Sequence, residues 1–202
     1  MSFMKSACSF TRLRISEPVP PALWSNICDK LKQYAFREID DISEERSWGW
    51  VNFDDMLDSA WQESPPEKGS YIAFSLRLDT RRVPPAVLRK HVALALKEEA
   101  GKNSEQGKKF IARERKKEIR EQVALRLMKR CLPIPAECNV IWNTGTNMVY
   151  VASTREKLLE LFQTHFTLTF DLHLEQLTPY GLAERIFGET AKLDSLEATR
   201  FV

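Results

Sequence analysis

The chain is 202 residues long, with 43% hydrophobic and 29% charged residues and a formal net charge of +2. That length permits one domain or two small ones with a core that needs neither disulfides nor metal, and the composition excludes a wholly disordered chain; seven Gly and ten Pro likewise exclude collagen-like and linker-like sequences. The near-zero charge hides a partition: residues 88–130 hold 14 Lys and Arg against 6 Asp and Glu, leaving 16 against 22 elsewhere, so one segment keeps a polyanionic partner open.

Ser9–Ile15 reads as a strand with Phe10, Leu13 and Ile15 apolar. Val19-Pro20-Pro21-Ala22 then opens a helix, since a proline in the first turn gives up an N–H that has no intrahelical partner. Trp24, Ile27, Cys28 and Leu31 follow at helical spacing and form its buried face. A second unit looks alike: Tyr71–Asp79 alternates as a strand, and Val83-Pro84-Pro85-Ala86 opens a helix with Leu88, Val92 and Ala95 on its apolar side. Phe10 and Val19 recur as Phe74 and Val83 at a common offset of 64 residues. A duplicated strand–helix unit accounts for this, and so does chance agreement of four residues.

Between the two units, Glu38–Glu45 is acidic and reads as a solvated loop, and Trp48-Gly49-Trp50-Val51 with Phe53 follows. Tryptophans beside a valine anchor a segment to a core more often than they stack on a ligand. Glu63–Ser70, with Pro65, Pro66 and Gly69, is a loop. After a polar connection at Gly101–Gly107, a long helical run extends from about Lys108 to Cys131 and stops at Leu132-Pro133-Ile134-Pro135, because proline lacks the helical donor and restricts its predecessor. Strands are expected at Cys138–Trp142 and Met148–Ala152 around the turn Asn143-Thr144-Gly145-Thr146-Asn147. Ser153 or Thr154 is placed to cap a helix bearing Leu158, Leu161 and Phe162. Thr167–His173 alternates as a further strand, and Thr178–Phe187 is a last short helix. The expected architecture is α+β, an antiparallel sheet with packed helices and a projecting long-helix arm. Residues 1–100 and 132–202 form the body and 101–131 the arm.

Lys109, Arg113, Lys116 and Arg120 follow spacings of three and four and share one helix face, with Lys117 beside them. The row spans roughly 16 Å at helical rise, enough to meet several backbone phosphates without reading bases. The same pattern serves as an ordinary solvated face, and Glu114, Glu118 and Glu121 offset part of it. Ile119, Val123 and Leu127 form a separate apolar stripe on the same helix.

Other chemistry is poorly represented. Cys8, Cys28, Cys131 and Cys138 include no C-x-x-C pair, and His91, His165 and His173 are far apart, so neither a metal nor a cofactor is expected. Gly101-x5-Gly107-Lys108-Lys109 has the wrong length for a phosphate loop and lacks Ser or Thr after the lysine. The acidic pairs Asp40-Asp41, Glu44-Glu45 and Asp54-Asp55 lack a base to activate water. The N-terminus has no apolar signal region and no apolar run reaches spanning length, so a cytoplasmic protein without membrane contact is expected.

Taken in order, the pieces resemble the recombination-associated RdgC family. They are the N-terminal strand and helix, Gly49-Trp50-Val51, Leu78 through Val92 with its prolines, and the Lys/Glu-rich run ending Val123-Ala124-Leu125-Arg126-Leu127-Met128-Lys129-Arg130. The hairpin Val140–Val151 and the helix after Ser153 complete the resemblance, over about residues 9–185. It implies a bacterial, nucleoid-associated, non-catalytic protein that binds double-stranded DNA as a ring-shaped homodimer and restrains recombinase RecA by occupying DNA.

The family's cationic inner surface would map onto Lys102, Lys108, Lys109, Arg113, Lys116, Lys117 and Arg120. Its subunit contact near an Arg-Ala-Phe segment would map onto Arg130-Cys131-Leu132, with leucine replacing the aromatic and Ile134 as a further apolar contact. The chain is also shorter than typical members and is expected to lack their C-terminal portion, which makes an open clamp an alternative to a ring. Two other readings remain: a protein-interaction module using the basic arm, and a metal-dependent nuclease using Asp54 and Asp55.

Overall fold

The computed structural model describes residues 3, 6–40, 44–105 and 110–188. The elements run β1 (Thr11–Ile15), α1 (Pro21–Ser25), α2 (Ile27–Gln33), β2 (Arg46–Asn52), β3 (Glu67–Lys68), β4 (Tyr71–Thr80), α3 (Pro85–Glu105), α4 (Arg113–Met128), β5 (Ile134–Asn143), β6 (Met148–Val151), α5 (Glu156–Phe170), β7 (Leu174–Gln176) and α6 (Pro179–Phe187). The seven strands form one antiparallel sheet in the order β2-β4-β5-β6-β1-β7, with β3 added to β4. The fold class is α+β, as the sequence indicates. The helices opened by proline start at Pro21 and Pro85, which preserves the 64-residue offset. Phe10 and Phe74 are not equivalent in environment, however: Phe10 is exposed and Phe74 fully buried.

The chain divides into two compact units, one of residues 1–35, 50–76 and 137–202, the other of residues 36–49 and 77–136. In the first, strand alternation sets the core. Leu13 lies opposite Val149, Val151 opposite Val140, and Trp142 opposite Val149; all five side chains are buried. Helix α5 contributes Leu159, Phe162, Phe166 and Phe170, one per turn, to the same cluster. Trp50 makes edge contacts with Phe74 and Phe162, and its Nε1 donates to Thr169 Oγ1 at 2.8 Å. Trp50 thus packs as the sequence suggests. Its segment is a regular strand, with Trp48 left half-exposed.

Helix α5 overturns the strand expected at Thr167–His173. The alternation of Leu168, Phe170 and Leu172 is coincidental, since Leu168 is 60% exposed and Phe170 belongs to the four-residue series from Phe162. The β-branched threonines are accommodated by back-bonding, with Thr164 Oγ1 donating to Glu160 O at 2.9 Å and Thr169 Oγ1 to His165 O at 2.7 Å. The helix ends at Asp171, whose φ of 58° is left-handed, and β7 follows. The N-cap of α5 is Arg155, with no side-chain cap bond, so neither Ser153 nor Thr154 caps it; Ser153 Oγ instead accepts from Arg155 N at 3.1 Å, just ahead of the helix. The 143–147 turn is closed by Asn143 Oδ1, which accepts from the N–H groups of Gly145 and Thr146.

In the second unit, the described acids of the 38–45 stretch (Glu38, Asp40, Glu44 and Glu45) are exposed, as expected of a solvated loop, while two arginines anchor the segment. The Arg77 guanidinium bonds Asp79 at 2.8 Å and Glu38 at 2.9 Å, and lies 4.1 Å above the Phe36 ring. Arg81 Nη2 donates to the carbonyls of Ile39 and Asp40, while its N–H donates to Glu45 O. Ile39 is consequently buried.

The helical run after Gly107 also differs from expectation. Described helix begins at Arg113, and α3 extends to Glu105. Leu88, Val92, Ala95 and Leu96 of α3 pack against Ile119, Val123 and Leu127 of α4. The arm's apolar stripe is therefore satisfied by a second helix, in a hairpin with a core of its own.

Candidate nucleic-acid interface

The hairpin owes its geometry to two matched stripes and one polar clamp. Arg115 Nε donates to Glu99 Oε1 at 2.7 Å, and Arg115 Nη1 reaches Glu118 at 3.0 Å. Hydrogen bonding to Arg115 holds the Glu99 carboxyl below the usual carboxylate range, and the same bonds raise the guanidinium. This contact joins the last turns of α3 to the first turn of α4, so the helices run antiparallel.

Successive helical residues lie about 100° apart, which sorts α4 into faces. Measured from Ile119, the buried Ile119, Val123 and Leu127 lie at about 0–80°, and Lys116, Arg120, Arg113 and Lys117 at about 60–160°. Glu121, Glu114 and Glu118 lie at about 200–260°, and Arg126, Arg115 and Gln122 at about −20 to −60°. All four cations of the second group are exposed. Of these four, Lys117 pairs with Glu121 at 3.9 Å; the carboxylate of Glu118 is spent instead on Arg115. The acids therefore offset this row less than the sequence spacing suggests.

Among the remaining expected cations, the one that is described separates from this group. Lys102 is exposed but lines a cleft of about 470 Å³ with His91, Glu98, Glu99, Arg115 and Arg126. Lys108 and Lys109 lie outside the described residues. Arg130, Leu132 and Ile134 follow α4 and are exposed, Leu132 by 79% and Ile134 by 58%.

Asp54 and Asp55, the pair assigned to the nuclease reading, are both engaged by neighbouring groups. Asp54 accepts from Lys68 Nζ at 2.8 Å and Ser64 Oγ at 3.0 Å; these two bonds lower its pKa, the Lys68 contact most. Asp55 Oδ1 accepts from Leu57 N. Asp58 accepts from Asn52 Nδ2 and from the N–H groups of Ala60, Gln62 and Glu63. Among the described residues, no group of three or more His, Cys, Asp or Glu is placed to hold a metal ion. The four cysteines are free thiols, and burial pushes Cys138 up to about 11, which makes it unreactive at neutral pH. No described helix is long and apolar enough to cross a membrane.

The family model described as "Putative exonuclease, RdgC" matches residues 9–185. The chain belongs to the RdgC family. It is thus a member of a recombination-associated family, and the match takes in the sheet, both hairpin helices and α5. A comparison with curated proteins found no match. Sequence reasoning missed Arg115 as the clamp between α3 and α4. Its signal was present as Arg115 and Glu118 at a spacing of three, but Glu99 becomes its partner only once the helices pair.

Proposed function

We propose that this RdgC-family protein binds double-stranded DNA independently of sequence, through the cationic face of its helical hairpin. The observation that carries the reading is the exposed set Arg113, Lys116, Lys117 and Arg120, gathered on one face of α4 while the helix acids occupy another. Such a face meets phosphates, which occur at every step of a duplex, and offers no arrangement for reading base edges. In this reading the protein is a nucleoid-associated, non-catalytic homodimer that modulates recombination, RecA-dependent exchange included, by occupying DNA. Arg130, Leu132 and Ile134 supply the subunit contact.

The non-catalytic reading draws support from the hydrogen bonds that engage Asp54 and Asp55. It is tested by incubating labelled duplex with Mg²⁺ or Mn²⁺, where degradation abolished by Asp54→Ala would establish the nuclease instead. Binding itself is tested by titration with two unrelated duplexes at rising salt. Neutralising about five phosphates predicts a loss of roughly two to three decades in affinity between about 50 and 200 mM salt, equal for both sequences. Affinity independent of salt would refute the electrostatic mechanism.

A further inference from the structure

The cleft between α3 and α4 fixes which flank of each helix is which. Its lining comes from His91, Glu98 and Lys102 on α3 and from Arg115, Gln122 and Arg126 on α4. Measured from the seam residue Val92, the three α3 residues lie at about −80 to −120°, while Arg89, Lys97 and Lys90 lie at about +60, +140 and +160°. On α4 the cleft residues are likewise on the negative side of the seam, and Arg113, Lys116, Lys117 and Arg120 on the positive side. In an antiparallel pair, the positive sides of both helices fall on the same flank. The flank opposite the cleft therefore gathers Arg89, Lys90 and Lys97 with the four cations of α4, and all seven are exposed. Glu98, Glu99, Glu114 and Glu118 fall on the cleft side, and Glu121 stands at the border.

We infer that Arg89, Lys90 and Lys97 of α3 belong to the phosphate-contacting surface, and that the cleft flank with Lys102 does not. This inference rests on the duplex-binding reading and extends it to a second helix. The occupant follows from charge complementarity and length. Glu99 lies beside Arg115, so Arg89 sits about 15 Å further down the hairpin, beyond Arg120. The cationic flank is then about 18 Å long, against about 10 Å for α4 alone. Eighteen ångströms covers about five base pairs, where one helix row covers about three.

The test compares the full chain with Arg89→Gln/Lys97→Gln, Arg113→Gln/Arg120→Gln and Lys102→Gln, using a plain duplex and the slope of log affinity against log salt. Each neutralised contact removes about 0.9 from that slope per chain. The α3 pair is expected to lower the slope by about 2, as the α4 pair does, and Lys102→Gln to leave it unchanged. Arg89→Lys should retain the wild-type slope, because phosphate contact needs charge rather than guanidinium shape. Glutamine is a good helix former, and an unchanged circular dichroism spectrum checks that α3 persists. A normal slope in the α3 pair beside a reduced one in the α4 pair would overturn the inference and leave the duplex reading standing. A wild-type chain without salt-dependent duplex binding would overturn both.

Discussion

Replacing Ile119 by alanine tests whether the hairpin is held by its own seam. Ile119 is 5% exposed and is one of three α4 side chains, with Val123 and Leu127, that are buried against α3. A buried isoleucine truncated to alanine costs about 2–5 kcal/mol. The seam is one layer thick and its α3 partners are only partly buried, so neighbours can close on the gap and the low end, about 2 kcal/mol, applies. A 16-residue helix is marginal in water by itself, so this loss falls directly on hairpin opening. Two kilocalories correspond to about a thirtyfold change in the opening equilibrium. Hydrogen exchange resolved by residue should show α3 and α4 amides exchanging about thirtyfold faster in Ile119→Ala. Leu125→Ala is the matched control on the same helix, because Leu125 is 67% exposed, and it should stay within about twofold. Equal effects of the two substitutions, or none from Ile119→Ala in a folded protein, would refute the seam as the source of hairpin stability.

Three further outcomes are expected. His165 is buried, its Nε2 lies 3.2 Å from Tyr34 O, and desolvation lowers its pKa below the ordinary value of 6.5. The unfolded chain therefore takes up this proton first as pH falls, so the His165 contribution to stability is intact above about 6.5 and declines below it by at most about 1.4 kcal/mol per pH unit. Denaturant titrations of wild type and His165→Gln should converge as pH drops from 7 towards 5; a constant gap would contradict this. Trp50→Phe keeps an aromatic in the core but leaves Thr169 Oγ1 without its indole donor, and the urea midpoint should fall by the equivalent of about 1–3 kcal/mol. If the chain forms the proposed homodimer, Leu132→Asp with Ile134→Asp should shift sedimentation from dimer towards monomer without altering the circular dichroism spectrum, and an unchanged dimer would remove these residues from the subunit contact.

Local signals account for what the sequence made legible. Val19-Pro20-Pro21 and Val83-Pro84-Pro85 set two helix starts, since proline's effect on φ is local, and the 143–147 turn needs little beyond Asn143 and its own backbone. Thr167–Phe170 misled because a β-branched run with alternate apolar residues satisfies the strand pattern as readily as the helical one. Only the partners of Phe162, Phe166 and Phe170 distinguish them. The basic row was visible on α4 because it recurs at spacings of three and four. Arg89 and Lys97 were not, since neither is marked as a neighbour of that row until Leu88, Val92 and Ala95 meet Ile119, Val123 and Leu127. An apolar stripe announces that a partner exists without saying which; pairing of distant stripes is a tertiary event.

The separation of charge across the hairpin acts before any contact is made. Seven cations on one flank, against the acids and the three cations Lys102, Arg115 and Arg126 on the cleft flank, give the helix pair an electric moment perpendicular to its long axis, distinct from the axial moments of the helices, which largely cancel in an antiparallel pair. Near a polyanion that moment feels a torque as well as a pull. If the protein binds duplex DNA as proposed, a hairpin approaching with the cleft flank foremost would be turned as it nears the duplex, and a larger share of encounters would end with Arg113 and Arg120 towards the phosphates.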